Sequence, residues 1–154
     1  MKGYFEMPEE TAARFTPDGY FKTGDLGYLD SENYLYLAGR ASNMIVTEGG
    51  KNVYPEEIEN EFQLFEMVDQ VLVRGFLADK KMKIEDIEAL IYPNQEMKNE
   101  AGQPFSKDEV KSKIDAIVLE VNQRLLPYQK INKVTILDLP MEMTTTKNIK
   151  RDKV

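Results

Sequence analysis

Cysteine and histidine are both missing from the 154 residues. Without cysteine there is no disulfide, no thiol nucleophile and no Cys/His zinc site. Without histidine a Ser-His-Asp triad cannot form within the chain. Proton transfer is left to carboxylates, Lys, Tyr or water. Long apolar runs are also missing. No stretch approaches the ~20 residues that cross a bilayer, so no transmembrane segment is expected. Residues 1–6 hold no apolar signal region. A basic excess is absent too: 20 Lys and Arg stand against 27 Asp and Glu, a net charge of −7. That argues against a nucleic-acid partner, which calls for a basic footprint. A cytoplasmic protein is the expectation.

What is present suits a folded domain. Hydrophobic residues make up 42%, and 8 Tyr and 7 Phe are spread through the chain, unlike the composition of a disordered one. The length allows one ordinary domain, or a domain plus a fragment. Up to about Gly24 the chain reads as loops with one short helix over residues 8–15. Two aromatic-aliphatic runs, 27–29 and 34–37, flank Asp30-Ser31-Glu32-Asn33, which predicts a β-hairpin. Residues 44–46 suggest a strand ended by Gly49-Gly50. Pro55, with Glu56 and Glu57, opens a helix whose Ile58, Phe62 and Phe65 share one face.

Residues 68–77 and 87–92 read as strands, joined by a charged loop over 79–85. The clearest helix spans 106–125. Ser106 and Glu109 make a capping-box pattern. Val110, Ile114, Ile117, Val118, Val121 and Leu125 make one stripe, and Pro127 stops it. Residues 133–139 read as a last strand, and the polar, basic segment after Pro140 as a mobile tail. The fold class is therefore α+β, a small mixed sheet with packed amphipathic helices, preceded by a β-hairpin. Its core is expected between residues 44 and 139.

Three clusters could carry chemistry. In Lys22-Thr23-Gly24-Asp25-Leu26-Gly27, the carboxylate could accept from both hydroxyls of a ribose, or Asp25 could cap a turn. In Gly39-Arg40 and Thr47-Glu48-Gly49-Gly50-Lys51-Asn52, Arg40 could hold a phosphate or ribose. The paired glycines could let a backbone approach a ligand. Both could equally be a surface side chain and a plain turn. In residues 143–151, three Thr hydroxyls and three cations could hold an anion, or form a solvated basic tail.

The order and spacing of these clusters resemble a known family. Residues 19–28, Gly19-Tyr20-Phe21-Lys22-Thr23-Gly24-Asp25-Leu26-Gly27-Tyr28, come first. Gly39-Arg40 follows, and then Gly49-Gly50-Lys51-Asn52-Val53-Tyr54-Pro55-Glu56-Glu57-Ile58-Glu59. This series is similar to the adenylate-forming superfamily of acyl-CoA synthetases, luciferases and peptide-synthetase adenylation domains. Met1-Lys2-Gly3-Tyr4 looks like the family's segment just upstream. Residues 140–151 look like its C-terminal lysine motif. The Met-Glu-Met-Thr start of the tail and residues 88–94 look most like long-chain fatty acyl-CoA synthetases.

The resemblance implies an ATP- and Mg²⁺-dependent ligase whose large N-terminal domain holds ATP, the metal and a carboxylate such as a fatty acid. A small C-terminal lid closes over that domain. One orientation makes the acyl-adenylate, and a rotated one transfers the acyl group to CoA. Residues 1–41 then correspond to the end of the large domain and 42–154 to the lid. Asp25 is expected at the ribose hydroxyls, Arg40 near ribose and phosphate, and Ser42 at the hinge. Gly49, Gly50 and Lys51 are expected along the CoA tunnel.

The tail departs from the family pattern. Thr144 and Arg151 match its ends, but Lys147 stands in the glycine place and Asn148 in the place of the lysine that bridges carboxylate and α-phosphate. Lys147 is a possible substitute. No phosphate loop, adenine pocket or acyl tunnel is found in the chain. It is therefore expected to be inactive alone, as a piece of a longer enzyme starting at an internal methionine. Two other readings are an adenylation domain serving a carrier protein, and a stand-alone, non-enzymatic binding module with the lid fold.

Overall fold

The computed structural model describes residues 2–47, 49–79 and 84–153, and the chain divides into two compact units, Met1–Ser42 and Asn43–Val154. In the first unit, α1 (Pro8–Ala13) starts on Pro8 with Glu9 and Glu10 in its first turn. The fixed φ of proline and the two acids both favour a helix start there. β1 (Asp25–Leu29) and β2 (Leu35–Arg40) pair antiparallel as expected. Asp30 makes the turn between them: its Oδ1 accepts from the Glu32 and Tyr34 amides at 2.8 and 2.9 Å. The Tyr34 amide above all holds the Asp30 carboxyl below its ordinary value. Gly27 is required by space, since a Cβ there would meet the Tyr36 carbonyl oxygen at 2.5 Å.

No described residue of this unit is buried. Its Tyr28, Leu29, Tyr34, Leu35 and Leu37 are all exposed. A unit with so little buried apolar surface has little to resist local opening. Hydrogen exchange is therefore expected to be fast over residues 2–24 and slow in the long helix of the second unit. Equal protection in the two segments would overturn this.

The second unit begins with a hairpin of two-residue strands, β3 (Ile45–Val46) and β4 (Asn52–Val53). The second of these carries no run of its own in the sequence. Next come α2 (Pro55–Phe62), β5 (Val68–Asp79) and β6 (Ile84–Pro93), then α3 (Lys107–Arg124) and β7 (Lys133–Ile136). The tip of the expected charged loop, residues 80–83, and Glu48 lie outside the described residues.

The sheet runs β5-β6-β7, with β5–β6 antiparallel and β6–β7 parallel. Parallel strands need a long crossover, and α3 supplies it. α3 carries the expected capping box, with Glu109 N–H donating to Ser106 Oγ at 3.3 Å and Ser106 N–H donating to Glu109 Oε2 at 2.7 Å.

Because side chains alternate along a strand, the sheet has two distinct faces. One face, with Val73, Ile87, Ala89 and Ile91, packs against Ile58 and Phe62 of α2 and Ile114, Val118 and Val121 of α3. That is the main core. α2 ends at Phe62, so Phe65 reaches the core from the turn after the helix rather than from its third turn. The other face carries Leu72 and Leu90, covered by Met141 with Leu137 and Ile149.

The tail after Pro140 therefore differs from the mobile segment expected. Met141 is buried and its N–H donates to Gln70 Oε1 at 2.7 Å. Met143 and Ile149 bridge antiparallel, and Arg151 reaches Glu59 and the Val73 carbonyl. The sequence shows a polar, charged run. It does not show that two of the apolar residues in that run, Met141 and Ile149, fit a gap on the sheet.

Candidate functional site

In the first unit, Asp25 and Arg40 sit opposite each other in the β1–β2 register. Arg40 Nε lies 2.9 Å from Asp25 Oδ1. Arg40 Nη1 donates to the Thr23 carbonyl at 3.1 Å, and the Asp25 amide donates to Thr23 Oγ1 at 3.1 Å. Both side chains remain substantially exposed, 57% for Arg40 and 36% for Asp25. The pair thus presents an acceptor and a planar cation side by side on the surface. The carboxylate has about four acceptor sites and the guanidinium about five N–H donors, so both keep capacity that their mutual contact does not use. A ribose diol beside a phosphate fits that donor set. Ser42 lies in a 3₁₀ turn, Ala41–Asn43.

In the second unit, the β3–β4 turn holds Gly49, Gly50 and Lys51. The Thr47 amide donates to the Lys51 carbonyl at 3.0 Å, and the Gly50 amide to the Thr47 carbonyl at 2.8 Å. Gly50 has φ +67°, the left-handed region that glycine enters without steric cost. Beside the turn is a cleft of 180 Å³ lined by Thr47, Gly49, Asp86, Tyr128, Lys130 and Asn132, among others. The turn shares this cleft with an aromatic ring, a cation and a carboxylate, a mixed lining with polar groups of both signs.

The tail forms a tight turn. The Thr144 amide donates to the Asn148 carbonyl at 2.8 Å and the Lys147 amide to the Thr144 carbonyl at 3.0 Å. Thr144 Oγ1 and Thr146 Oγ1 are 2.9 Å apart, and Asn148 Nδ2 donates to Thr146 Oγ1 at 3.2 Å. These hydroxyls are turned on one another. Of the three cations, Lys150 pairs with Glu142 at 3.3 Å and Arg151 with Glu59 at 2.6 Å. An anion cradle of three hydroxyls and three cations is therefore not what the segment makes. Among the described residues Lys147 is the tail cation that no carboxylate neutralises. Lys147 also has φ +60°, a backbone state that costs a non-glycine residue roughly 1 kcal/mol. The turn has a glycine's geometry at this position.

Two acidic residues gained no role from the sequence alone. Glu59 accepts from the Val73 amide at 2.7 Å and from Arg151. Burial pushes its carboxyl above the ordinary value, with Arg151 opposing. Glu88, on the middle strand and 2% exposed, is held by Arg74, Lys133 and Thr135 at 3.0, 2.8 and 2.8 Å. Burial pushes Glu88 up, but the Lys133, Thr135 and Arg74 donors more than offset it, so it lies below its ordinary value. The partners of Glu59 and Glu88 lie up to 92 residues away, beyond any local pattern. Among the described residues no group of three or more acidic side chains could hold a metal ion. No helix among them is long and apolar enough to cross a membrane.

No family model matches the chain. Individual relatives do. Over 160 aligned residues, 97% of this chain, it is 30% identical to the long-chain-fatty-acid–CoA ligase FadD15 of Mycobacterium tuberculosis. It is 47% identical over 73 residues to the 2-succinylbenzoate–CoA ligase of Listeria innocua, which is 47% of this chain and 15% of that protein. The solved structure of o-succinylbenzoate–CoA synthetase (MenE) from Bacillus subtilis, in complex with ATP and magnesium, aligns with a TM-score of 0.73 at 29% identity. That alignment covers 99% of this chain and 28% of that one. The chain spans about a quarter of the length of the relatives it matches end to end, 26% for FadD15. Its small mixed sheet and packed helices have the form of those enzymes' C-terminal domain, and with these relatives the chain belongs to the adenylate-forming superfamily of acyl- and aryl-CoA ligases.

Proposed function

We propose that the chain is the lid portion of an acyl-CoA synthetase, with residues 1–41 ending its large N-terminal adenylation domain and 42–154 forming the lid. The whole enzyme would use ATP and Mg²⁺ to turn a carboxylic acid into an acyl-adenylate, and then pass the acyl group to CoA. The observation that carries this reading is the match to a CoA ligase along 97% of the chain. The exposed Asp25–Arg40 pair supports a nucleotide contact. In this reading Asp25 holds the ribose hydroxyls and Arg40 the nucleotide near its phosphate. Ser42 is the hinge, and the turn of Gly49, Gly50 and Lys51 faces the CoA arm. Lys147 and Asn148 face the adenylation site. The favoured acid is a fatty acid, on the likeness of residues 88–94 and of the tail's opening to long-chain ligases, and on the name of FadD15.

The test is pyrophosphate release with ATP, Mg²⁺ and a series of acids. The 154-residue chain is expected to release none, because no phosphate loop or acyl pocket is found in its sequence. Sustained release by the purified chain would refute the lid reading. The full-length enzyme is expected to respond best to fatty acids. A stronger response to 2-succinylbenzoate would remove the fatty-acid assignment and leave the ligase reading intact.

A further inference from the structure

β5 is an edge strand, hydrogen-bonded to β6 on one side only. The other side of such a strand presents unpaired amides and carbonyls, which either attract another chain or must be covered. At Val73 they are covered by two side chains. The Val73 amide donates to Glu59 Oε1 at 2.7 Å, and the Val73 carbonyl accepts from Arg151 Nη1 at 2.8 Å. Arg151 Nη2 closes the ring on Glu59 Oε1 and Oε2 at 2.6 and 2.7 Å. The carboxylate stands where a neighbouring strand's carbonyl would be, and the guanidinium where its amide would be. Both side chains are largely shielded, 18% and 27% exposed.

The guanidinium belongs to the tail. Arg151 follows Asn148 by three residues, and the Lys150 amide donates to the Glu142 carbonyl at 2.9 Å, continuing the Met143–Ile149 pairing. Wherever Arg151 is fixed, the turn is fixed. On the helix side, Arg151 Nη2 also lies 3.8 Å from Glu56 Oε1, which accepts from Asn43 Nδ2 at 2.6 Å.

We propose that Glu59 and Arg151 are a positioning pair, which anchors the tail segment carrying the Thr144–Asn148 turn to the open edge of β5 by completing the strand's hydrogen bonds at Val73. The docking stands on this geometry alone. Its effect on adenylation rests on the proposed function.

The experiment follows exchange of the 143–149 amides, and tryptic cleavage after Lys147, in the 154-residue chain. Glu59→Gln is expected to raise both about tenfold or more while the α3 amides keep their protection. Arg151→Lys keeps the charge but cannot donate to Glu59 and to the Val73 carbonyl in one fork, so an intermediate rise is expected. The reversed pair, Glu59→Arg with Arg151→Glu, sets a donor against the Val73 amide and an acceptor against its carbonyl. It is expected to leave the tail loose, whereas a merely coulombic pair would be restored. Normal tail protection in Glu59→Gln, or restoration by the reversed pair, would overturn the proposal. If the reversed pair does not fold, Arg151→Lys decides in the same way, because unchanged protection there is equally fatal.

In the full-length ligase, Glu59→Gln is expected to lower kcat for adenylation about tenfold and leave transfer from preformed acyl-adenylate to CoA unchanged. Equal loss in both steps means a plain folding defect and overturns the positioning role. A full-length enzyme that makes no acyl-adenylate even with Glu59 in place sinks the proposed function instead, and the exchange arm still judges the pair.

Discussion

Asn148→Lys, made in the full-length ligase proposed above, is expected to accelerate acyl-adenylate formation about 10²–10³-fold. The resemblance puts a lysine at this place, bridging carboxylate and α-phosphate. Asn148 offers an amide donor without the charge, and that amide is already engaged with Thr146. A preorganised cation stabilises the charge that develops on the phosphoryl and carboxylate oxygens. Removing one such group typically costs about 3–4 kcal/mol in the transition state. Transfer to CoA uses the turn at Gly49–Lys51 and should be nearly unchanged. Lys147→Ala separates the alternatives. Lys147 has no carboxylate partner among the described residues, so its charge is available. If Lys147→Ala abolishes adenylation, Lys147 is the working cation and the roles shift by one position. If neither substitution changes the first half-reaction, the tail is no part of that site.

Phe62→Ala is expected to destabilise the second unit by about 3–5 kcal/mol. Phe62 ends α2 with 1% of its surface exposed, and it lies in the cluster shared by α2, α3 and the helix-facing side of the sheet. A domain's net stability is only about 5–15 kcal/mol, so this single truncation should remove a substantial share of it. Urea titration reads the effect as a lowered midpoint with an unchanged slope. Leu64→Ala, two residues on and 70% exposed, should shift stability by no more than about 0.5 kcal/mol. Comparable midpoints for the two variants would contradict the core described above.

How much of this could be read in the sequence depends on the distance over which each feature is encoded. α3 was legible because its cap and its stripe are local: Ser106 and Glu109 are three residues apart, and the apolar positions recur every three or four. The β1–β2 hairpin was legible for the same reason, through the Asp30 turn. β4 was not, because Asn52 and Val53 become a strand only by pairing with Val46 and Ile45. Asp25, Arg40 and the Gly49-Gly50 turn stood out as motifs, yet no spacing rule places Arg40 Nε against Asp25 Oδ1. The tail misled because charge suggested solvation. Its cations Lys150 and Arg151 instead meet Glu142 and Glu59, and its apolar residues Met141 and Ile149 find Leu72 and Leu90. Glu59 closes one of the quoted motifs, yet nothing local ties it to Arg151, 92 residues further on.

The mixed sheet also sets an order of events for a chain leaving the ribosome. β5 and β6 are joined as neighbours and can zip together as soon as both have emerged, in microseconds for a hairpin. β7 cannot join until α3 has been made and has folded back, and the link between Ile87 and Asn132 at the start of that pairing spans 45 residues. Loop-closure entropy makes the wider ring about 2 kcal/mol harder to close than a hairpin of a few residues. Until it closes, the β6 edge and the apolar stripe on α3 are uncovered together. Arrival of β7 is then the committing step, and shortening the chain before β7 should leave a species that chaperones retain and proteases clear.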